Sequence, residues 1–286
     1  MQSDVDALMP KTDLSRRQFV SSAVLATGFA LAVCPATAAT ITTSPEGLLA
    51  GAVMIPTGDF EMPADVAQPA KGGPFPTILV VQEIFGVHEH IRDICRRLAK
   101  LGYLAVAPEL YFRQGDPSKV ADIQTLMTTL VAKVPDAQVM ADFDATAAWA
   151  AHNGGDPARL GITGFCWGGR ATWLYAARNP RLKAAEAWYG RLAGDPTPMA
   201  PSNPLDLVAQ IKVPVLGLYG AADQSIPVES VERMRAAMKA AGKDAEFVIY
   251  PDTPHAFHAD YRPSYREGPA KDGWARMQKW FKDHGL

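Results

Sequence analysis

Cysteine is scarce, with three residues (Cys34, Cys95 and Cys166) in 286, which argues against a disulfide scaffold. Lysine and arginine form no block, and 28 basic residues against 30 acidic ones leave a net charge of −2. Nucleic-acid binding, which rests on neutralising many phosphates, is therefore not expected. Glycine and proline, 23 of each, follow no fixed period, so collagen, coiled coil and long disorder are disfavoured too. Internal repeats and low-complexity tracts are absent, and no apolar run is long enough to cross a bilayer comfortably. What is present is the composition of a globular chain, 48% hydrophobic, 20% charged and 9% aromatic.

The first segment is the least globular. Ser15-Arg16-Arg17-Gln18-Phe19-Val20 leads into an uncharged apolar run to Val33, followed by Cys34-Pro35-Ala36-Thr37-Ala38-Ala39. Paired arginines, a short apolar stretch and small residues at a cleavage point form an export signal, and the pair is similar to a twin-arginine signal. Bulky Val33 disfavours lipid attachment at Cys34. Residues 1–39 are expected to be removed, leaving residues 40–286 as a single domain, exported to the periplasm and not held in a membrane. Only Cys95 and Cys166 then remain, and in an oxidising compartment they are able to pair.

Apolar runs of strand length alternate with helical patterns. Strands are expected at Gly51–Ile55, Thr77–Gln82, Tyr103–Ala107, Leu160–Gly164, Ala184–Trp188, Val213–Tyr219 and Ala245–Tyr250. Several are continuously apolar, as parallel strands buried on both faces are. Ile91, Ile94, Cys95 and Leu98 fall at helical spacing, as do Val139, Phe143, Ala147 and Ala150. Further helices are expected at Gly168–Arg178, Val228–Ala241 and Asp272–His284. The alternation implies an α/β fold, a predominantly parallel sheet with helices on both faces. Asp59 to Pro74, rich in Pro, Ala and Gly, reads as a surface loop or hairpin connection.

The sharpest chemical signal is Gly164-Phe165-Cys166-Trp167-Gly168-Gly169, between an expected strand and an expected helix. A nucleophile on such a turn needs glycine two residues to either side, because side chains there collide as the backbone doubles back. A glycine-rich turn with a buried cysteine is the plainer account of the motif taken alone. In this arrangement an acid and a histidine follow the nucleophile, each on a loop after a later strand. Asp223 and His255 occupy those places, with Asp252 as a rival acid on the histidine's own loop. Backbone N–H groups of Trp167, after the nucleophile, and Ile84, in the loop after the first buried strand, are the candidate oxyanion hole. Glu83, at the end of that strand, is either an active-site base or a structural carboxylate paired with an arginine.

Gln82-Glu83-Ile84-Phe85-Gly86, Ala107-Pro108-Glu109-Leu110-Tyr111, the cysteine elbow, Tyr189-Gly190, Gly220-Ala221-Ala222-Asp223 and His255-Ala256-Phe257 together resemble the dienelactone hydrolase (carboxymethylenebutenolidase) family. The resemblance runs from about Gly51 to the C-terminal helix. It implies an α/β-hydrolase fold, a Cys166, His255, Asp223 triad, and Glu83 as the carboxylate that helps deprotonate the thiol. It also implies that Arg113 contacts a substrate carboxylate and that Phe85, Tyr111, Tyr189 and Phe257 line the substrate site. For Trp188, Tyr189 and Phe257, core packing is the alternative. The family has a second arginine shortly after the histidine, which binds the carboxylate and restrains the glutamate; here His258 and Ala259 stand there, and the next arginine is Arg262.

The expected activity is hydrolysis of a small ester, enol lactone or thioester through an acyl-enzyme, without metal or cofactor. His88-Glu89-His90 and His255-Ala256-Phe257-His258 supply ligand types for a zinc site, but the triad accounts better for His255 and no helical H-E-x-x-H pair exists. A non-catalytic ligand-binding protein on the same fold is the alternative, opposed by retention of all three triad residue types. A redox pair of Cys95 and Cys166 is disfavoured because Cys95 lies on the apolar face of its helix.

Overall fold

The computed structural model describes residues 40–286 apart from Asp59, so the expected export signal lies outside the described residues. Eight strands form one sheet in the order β1-β2-β4-β3-β5-β6-β7-β8. They are β1 (Leu48–Pro56), β2 (Glu61–Pro69), β3 (Phe75–Val81), β4 (Leu104–Pro108), β5 (Gly155–Phe165), β6 (Ala184–Trp188), β7 (Val215–Gly220) and β8 (Ala245–Tyr250). β1 and β2 pair antiparallel, as do β2 and β4, while every pairing from β4 through β8 is parallel. This is the α/β-hydrolase arrangement.

The principal helices are α1 (Glu89–Lys100), α2 (Ile123–Thr129), α3 (Asp136–His152), α4 (Trp167–Arg178), α5 (Val228–Ala240) and α6 (Glu267–Asp283). The stretch from β3 through α1 to β4 steps one way along the sheet, and β5 through α4 to β6 steps the other way. Right-handed crossovers therefore put α1 and α4 on opposite faces. α1 buries Ile91, Ile94, Cys95 and Leu98 completely, the stripe its sequence spacing marks. Phe143 of α3 meets Tyr175 of α4 edge to face at 5.1 Å.

Two features differ from the sequence expectation. Residues 61–69 are a full strand, paired with β1 from Leu48↔Pro69 to Pro56↔Glu61 and with β4 from Ala64↔Pro108 to Ala67↔Ala105. Its composition hides it, because Pro63 and Pro69 are strand breakers in a central position; here the Pro63 carbonyl accepts the Glu109 N–H at 2.9 Å. The second difference is α2, seven residues long, started by Asp122, whose side chain accepts the Thr125 N–H.

The order of the sheet reverses between β3 and β5, since β3 is followed in the chain by its neighbour on one side and β5 lies on the other. Such a switch point leaves a crevice at the carboxyl ends of the strands, where open α/β sheets bind ligands. Glu83 and Ile84 follow β3 there, and Cys166 follows β5.

Candidate active site

Cys166 caps the N-terminus of α4 with φ 58° and ψ −113°, a left-handed conformation that an L-residue holds only under constraint. The glycines two residues away make the turn feasible. A Cβ on Gly164 would lie 2.3 Å from the Gly168 carbonyl oxygen, and one on Gly168 would lie 2.4 Å from that of Gln82. The Cys166 N–H is tied to the Trp188 carbonyl at 3.0 Å, which fixes the elbow against β6. Cys166 is partly exposed and free, whereas Cys95 is free and fully buried.

His255 and Asp223 come together as expected, with His255 Nδ1 2.6 Å from Asp223 Oδ2. The other Asp223 oxygen accepts the N–H of Ser225 at 2.8 Å, the Ser225 hydroxyl at 2.7 Å and the Ile226 N–H at 3.2 Å. Burial opposes ionisation of Asp223, but His255 and these donors outweigh it and hold the carboxyl below its usual range. Burial likewise disfavours a charged His255, yet Asp223 and Cys166, each as charge and as hydrogen-bond partner, push it up to about 10. Asp252, the rival acid, sits exposed in its turn.

Glu83 is buried and receives the Tyr261 hydroxyl at 2.5 Å on Oε2. His88 Nε2 stands 3.9 Å from the same oxygen. Burial alone would raise this carboxyl; the nearby His88 imidazole, the Arg262 charge and the Tyr261 hydroxyl bring it down to about 2. Arg262 is itself buried, with its guanidinium 5.6 Å from the Phe85 ring centre. It thus folds back toward Glu83, although it stands seven residues after His255. Tyr261 and His88 were not singled out for this role from the sequence; nothing local marks them, since Tyr261 reaches Glu83 across 178 residues.

A cavity of about 630 Å³ opens over the cysteine, and Ile84, Cys166, Trp167, Tyr189 and His255 line it together. Trp167 is the first residue of α4, where a backbone N–H has no acceptor within the helix. Four expected substrate contacts are not among the residues that line this cavity. Arg113 is a correction: its guanidinium donates to both oxygens of buried Asp142 at 3.0 and 2.8 Å and to the Thr57 hydroxyl at 2.9 Å, and it packs on the Phe112 ring at 4.5 Å. A carboxylate 29 residues away thus claims the charge.

Phe85, Tyr111 and Phe257 are also corrections: they are core residues, and none of them lines the cavity as Tyr189 does. Phe85 packs on His88, Tyr111 on Trp167 at 5.0 Å, and Phe257 between Trp188, Tyr189 and Tyr250. The cavity's own guanidinium groups are Arg170 and Arg191, which the sequence reading did not select because neither belongs to a motif.

The two histidine loops do meet. His90 lies 6.1 Å from His88 and 5.8 Å from His258, ring centre to ring centre, with His90 Nδ1 3.4 Å from Asp260. Among the described residues, however, no group of three His, Cys, Asp or Glu side chains is placed to hold a metal ion. Glu89 instead pairs with Arg96 at 2.5 Å.

Comparison with known proteins agrees with this architecture. A protein of Methylorubrum extorquens named "Putative carboxymethylenebutenolidase" is 62% identical over 286 residues, covering 99% of this chain and 98% of that protein. One of the same name from Escherichia coli K12 is 59% identical over 259 residues, 90% of this chain and 96% of that protein. A crystal structure described as "Putative Dienelactone Hydrolase" from Klebsiella pneumoniae has a TM-score of 0.81 at 61% identity, covering 82% of this chain and 98% of that one. The model of the dienelactone hydrolase family matches residues 62–285, and this chain belongs to that family.

Proposed function

We propose that this member of the family is a cysteine hydrolase that cleaves a small-molecule ester, enol lactone or thioester through an acyl-enzyme. The observation that carries the reading is the meeting of Cys166, on its constrained elbow, with the His255–Asp223 pair in one cavity. In this reading the Cys166 proton passes to His255, whose charged form Asp223 favours, and the sulfur becomes the nucleophile. The thiolate attacks the acyl carbon, the carbonyl electrons move onto oxygen, and the Ile84 and Trp167 N–H groups receive the oxyanion.

Collapse expels the alcohol or thiol, which takes the His255 proton. His255, oriented by Asp223, then removes a proton from water; the hydroxide attacks the acyl-cysteine and the thiolate leaves. A thiolate departs from a tetrahedral intermediate more readily than a plain alkoxide. Activated esters, enol lactones and thioesters are therefore favoured over alkyl esters and amides. Glu83, kept ionised by Tyr261, His88 and Arg262, is in this reading the carboxylate that assists thiol deprotonation.

The test is a panel of activated esters, lactones and thioesters with the purified protein, combined with mass spectrometry after rapid acid quench. The expected results are turnover and an acyl adduct on the peptide bearing Cys166, both lost in Cys166→Ala. Turnover that survives Cys166→Ala sinks the mechanism, and binding without turnover across the panel favours a ligand-binding protein. Export through the twin-arginine route to the periplasm is part of the same proposal, resting on the Arg16-Arg17 segment.

A further inference from the structure

The cavity over Cys166 is larger and more apolar than attack on a small polar lactone requires. Its volume of about 630 Å³ falls among pockets that enclose drug-sized ligands. Besides the reacting groups, the same cavity is also lined by Met127, Val131, Val134, Pro198, Met199 and Ile226, which come from α2, the short 3-10 turn at Val131–Lys133 that follows it, and the loops around residues 198–200 and 226. Val131 and Val134 are 7% and 5% exposed, so they belong to the core as well as the lining, while Met199 at 36% keeps a face in the open.

The charged groups around the cavity are Lys133, Arg170, Arg191 and Asp195. Arg170 is engaged by both oxygens of Asp136 at 2.7 and 2.8 Å and by the Ser202 carbonyl at 2.8 Å. Asp136 thus offsets Arg170, and apart from the reacting pair Lys133 and Arg191 stand against Asp195, so the rim disfavours a cationic substituent. A lactone ring with a short polar side chain would leave most of the apolar wall wet, and the binding free energy of that surface unused.

We infer that the substrate carries, beside its reacting carbonyl, an uncharged apolar group the size of an aromatic ring or a chain of about six to eight carbons, seated against Met127, Val131, Val134 and Met199. This rests on the reading of Cys166 as the nucleophile. Each methylene fully buried on that wall raises kcat/KM by about fourfold, so the gain from a two-carbon to an eight-carbon acyl group, six methylenes, is on the order of a thousandfold when all six are buried. The same group is able to sit on the acyl or the alcohol side of the ester.

The experiment measures kcat/KM for p-nitrophenyl esters from acetate to decanoate and for the benzoate, and in parallel for acetylated phenols bearing alkyl chains of the same lengths. One of the two series should climb to about six to eight carbons and then level, which identifies the side. Met127→Trp and, independently, Met199→Trp fill the wall and should lower the octanoate-to-acetate ratio, or its alcohol-side counterpart, at least tenfold. An ester ending in a quaternary ammonium should be slower than its neutral isostere.

A readout free of chemistry accompanies this: calorimetric binding of p-nitrophenyl octanoate to Cys166→Ala, weakened by either tryptophan. Preference for acetate in both series, or a tryptophan that lowers short and long substrates equally, overturns the inference while leaving the hydrolase reading intact. Octanoate-ester binding that tryptophan weakens, with no ester turned over, defeats the hydrolase reading and leaves the apolar site standing.

Discussion

At the scale of single residues, the two cysteines differ in surroundings rather than chemistry. Cys166 lies in the cavity with His255, whose charged form Asp223 favours, and Cys95 is buried in α1, where burial pushes its thiol well up. Limited alkylation followed by peptide mapping should label Cys166 much faster than Cys95, with matching loss of activity; equal labelling, or a disulfide between the two, would refute the assignment of the nucleophile. Glu83 allows a second prediction. Its folded value of about 2 lies below the ordinary 4.5, so the carboxylate contributes stability that is present above about pH 4.5 and lost as pH falls toward 2. Glu83→Gln keeps an acceptor for the Tyr261 hydroxyl but has no charge to titrate. Its stability should therefore vary less with pH than the wild type between about pH 5 and 2, as urea unfolding at a series of pH values would show; identical slopes would count against an ionised Glu83 in the fold.

At the scale of elements, the loop after β3 is held from below by Glu109. One Glu109 oxygen accepts the Val87 N–H at 2.9 Å, and Gly86 passes so close that a Cβ there would lie 3.1 Å from the other. Burial raises this carboxyl from 4.5 to about 7, against the pull of the Val87 N–H and Arg92. A raised carboxyl costs stability as pH climbs from about 4.5 through 7, because the unfolded chain ionises first. Glu109→Gln retains the acceptor and avoids that cost. It should be more stable than wild type at pH 8 by up to about 3 kcal/mol, with the difference shrinking toward pH 5; a Gln variant less stable at pH 8 would show that the loop needs the charge. The elbow is less forgiving. Gly168→Ala places a methyl against the Gln82 carbonyl at 2.4 Å, so β3 or α4 has to shift. Activity is expected to fall at least tenfold with a lower Tm, and near-normal values of both would mean the turn is more compliant than it looks.

For the whole molecule, the parallel order of the sheet brings residues from four loops to one end, after β3, β5, β7 and β8. No helix among the described residues is long and apolar enough to cross a membrane. The export proposal is tested at the same scale. The secreted form should begin at or near Ala39 or Thr40, and replacing Arg16 and Arg17 with Lys should block its appearance outside the cytoplasm. An intact Met1 or Gln2 in the secreted fraction, read by mass spectrometry, would sink it.

Much of this was written in local pattern. Continuous apolar runs mark β3, β6 and β7, because a strand buried on both faces has no polar side to show. The α1 stripe is legible for the corresponding reason in a helix. The elbow shows itself through its glycines, Gly164 demanded by a contact within the turn and Gly168 by the close approach of the chain after β3, and Cys166, Asp223 and His255 follow one another on loops at the same end of the sheet. What local pattern did not decide depends on groups distant in sequence. The partner of Arg113 is an aspartate on α3, and the partner of Glu83 is a tyrosine 178 residues on; neither pairing leaves a periodicity or a spacing to read. β2 becomes a strand despite its prolines because β1 and β4 flank it. The apolar lining of the cavity over Cys166 is built from segments with no motif, so its size and character arise only when the fold brings them to the same cavity as the nucleophile.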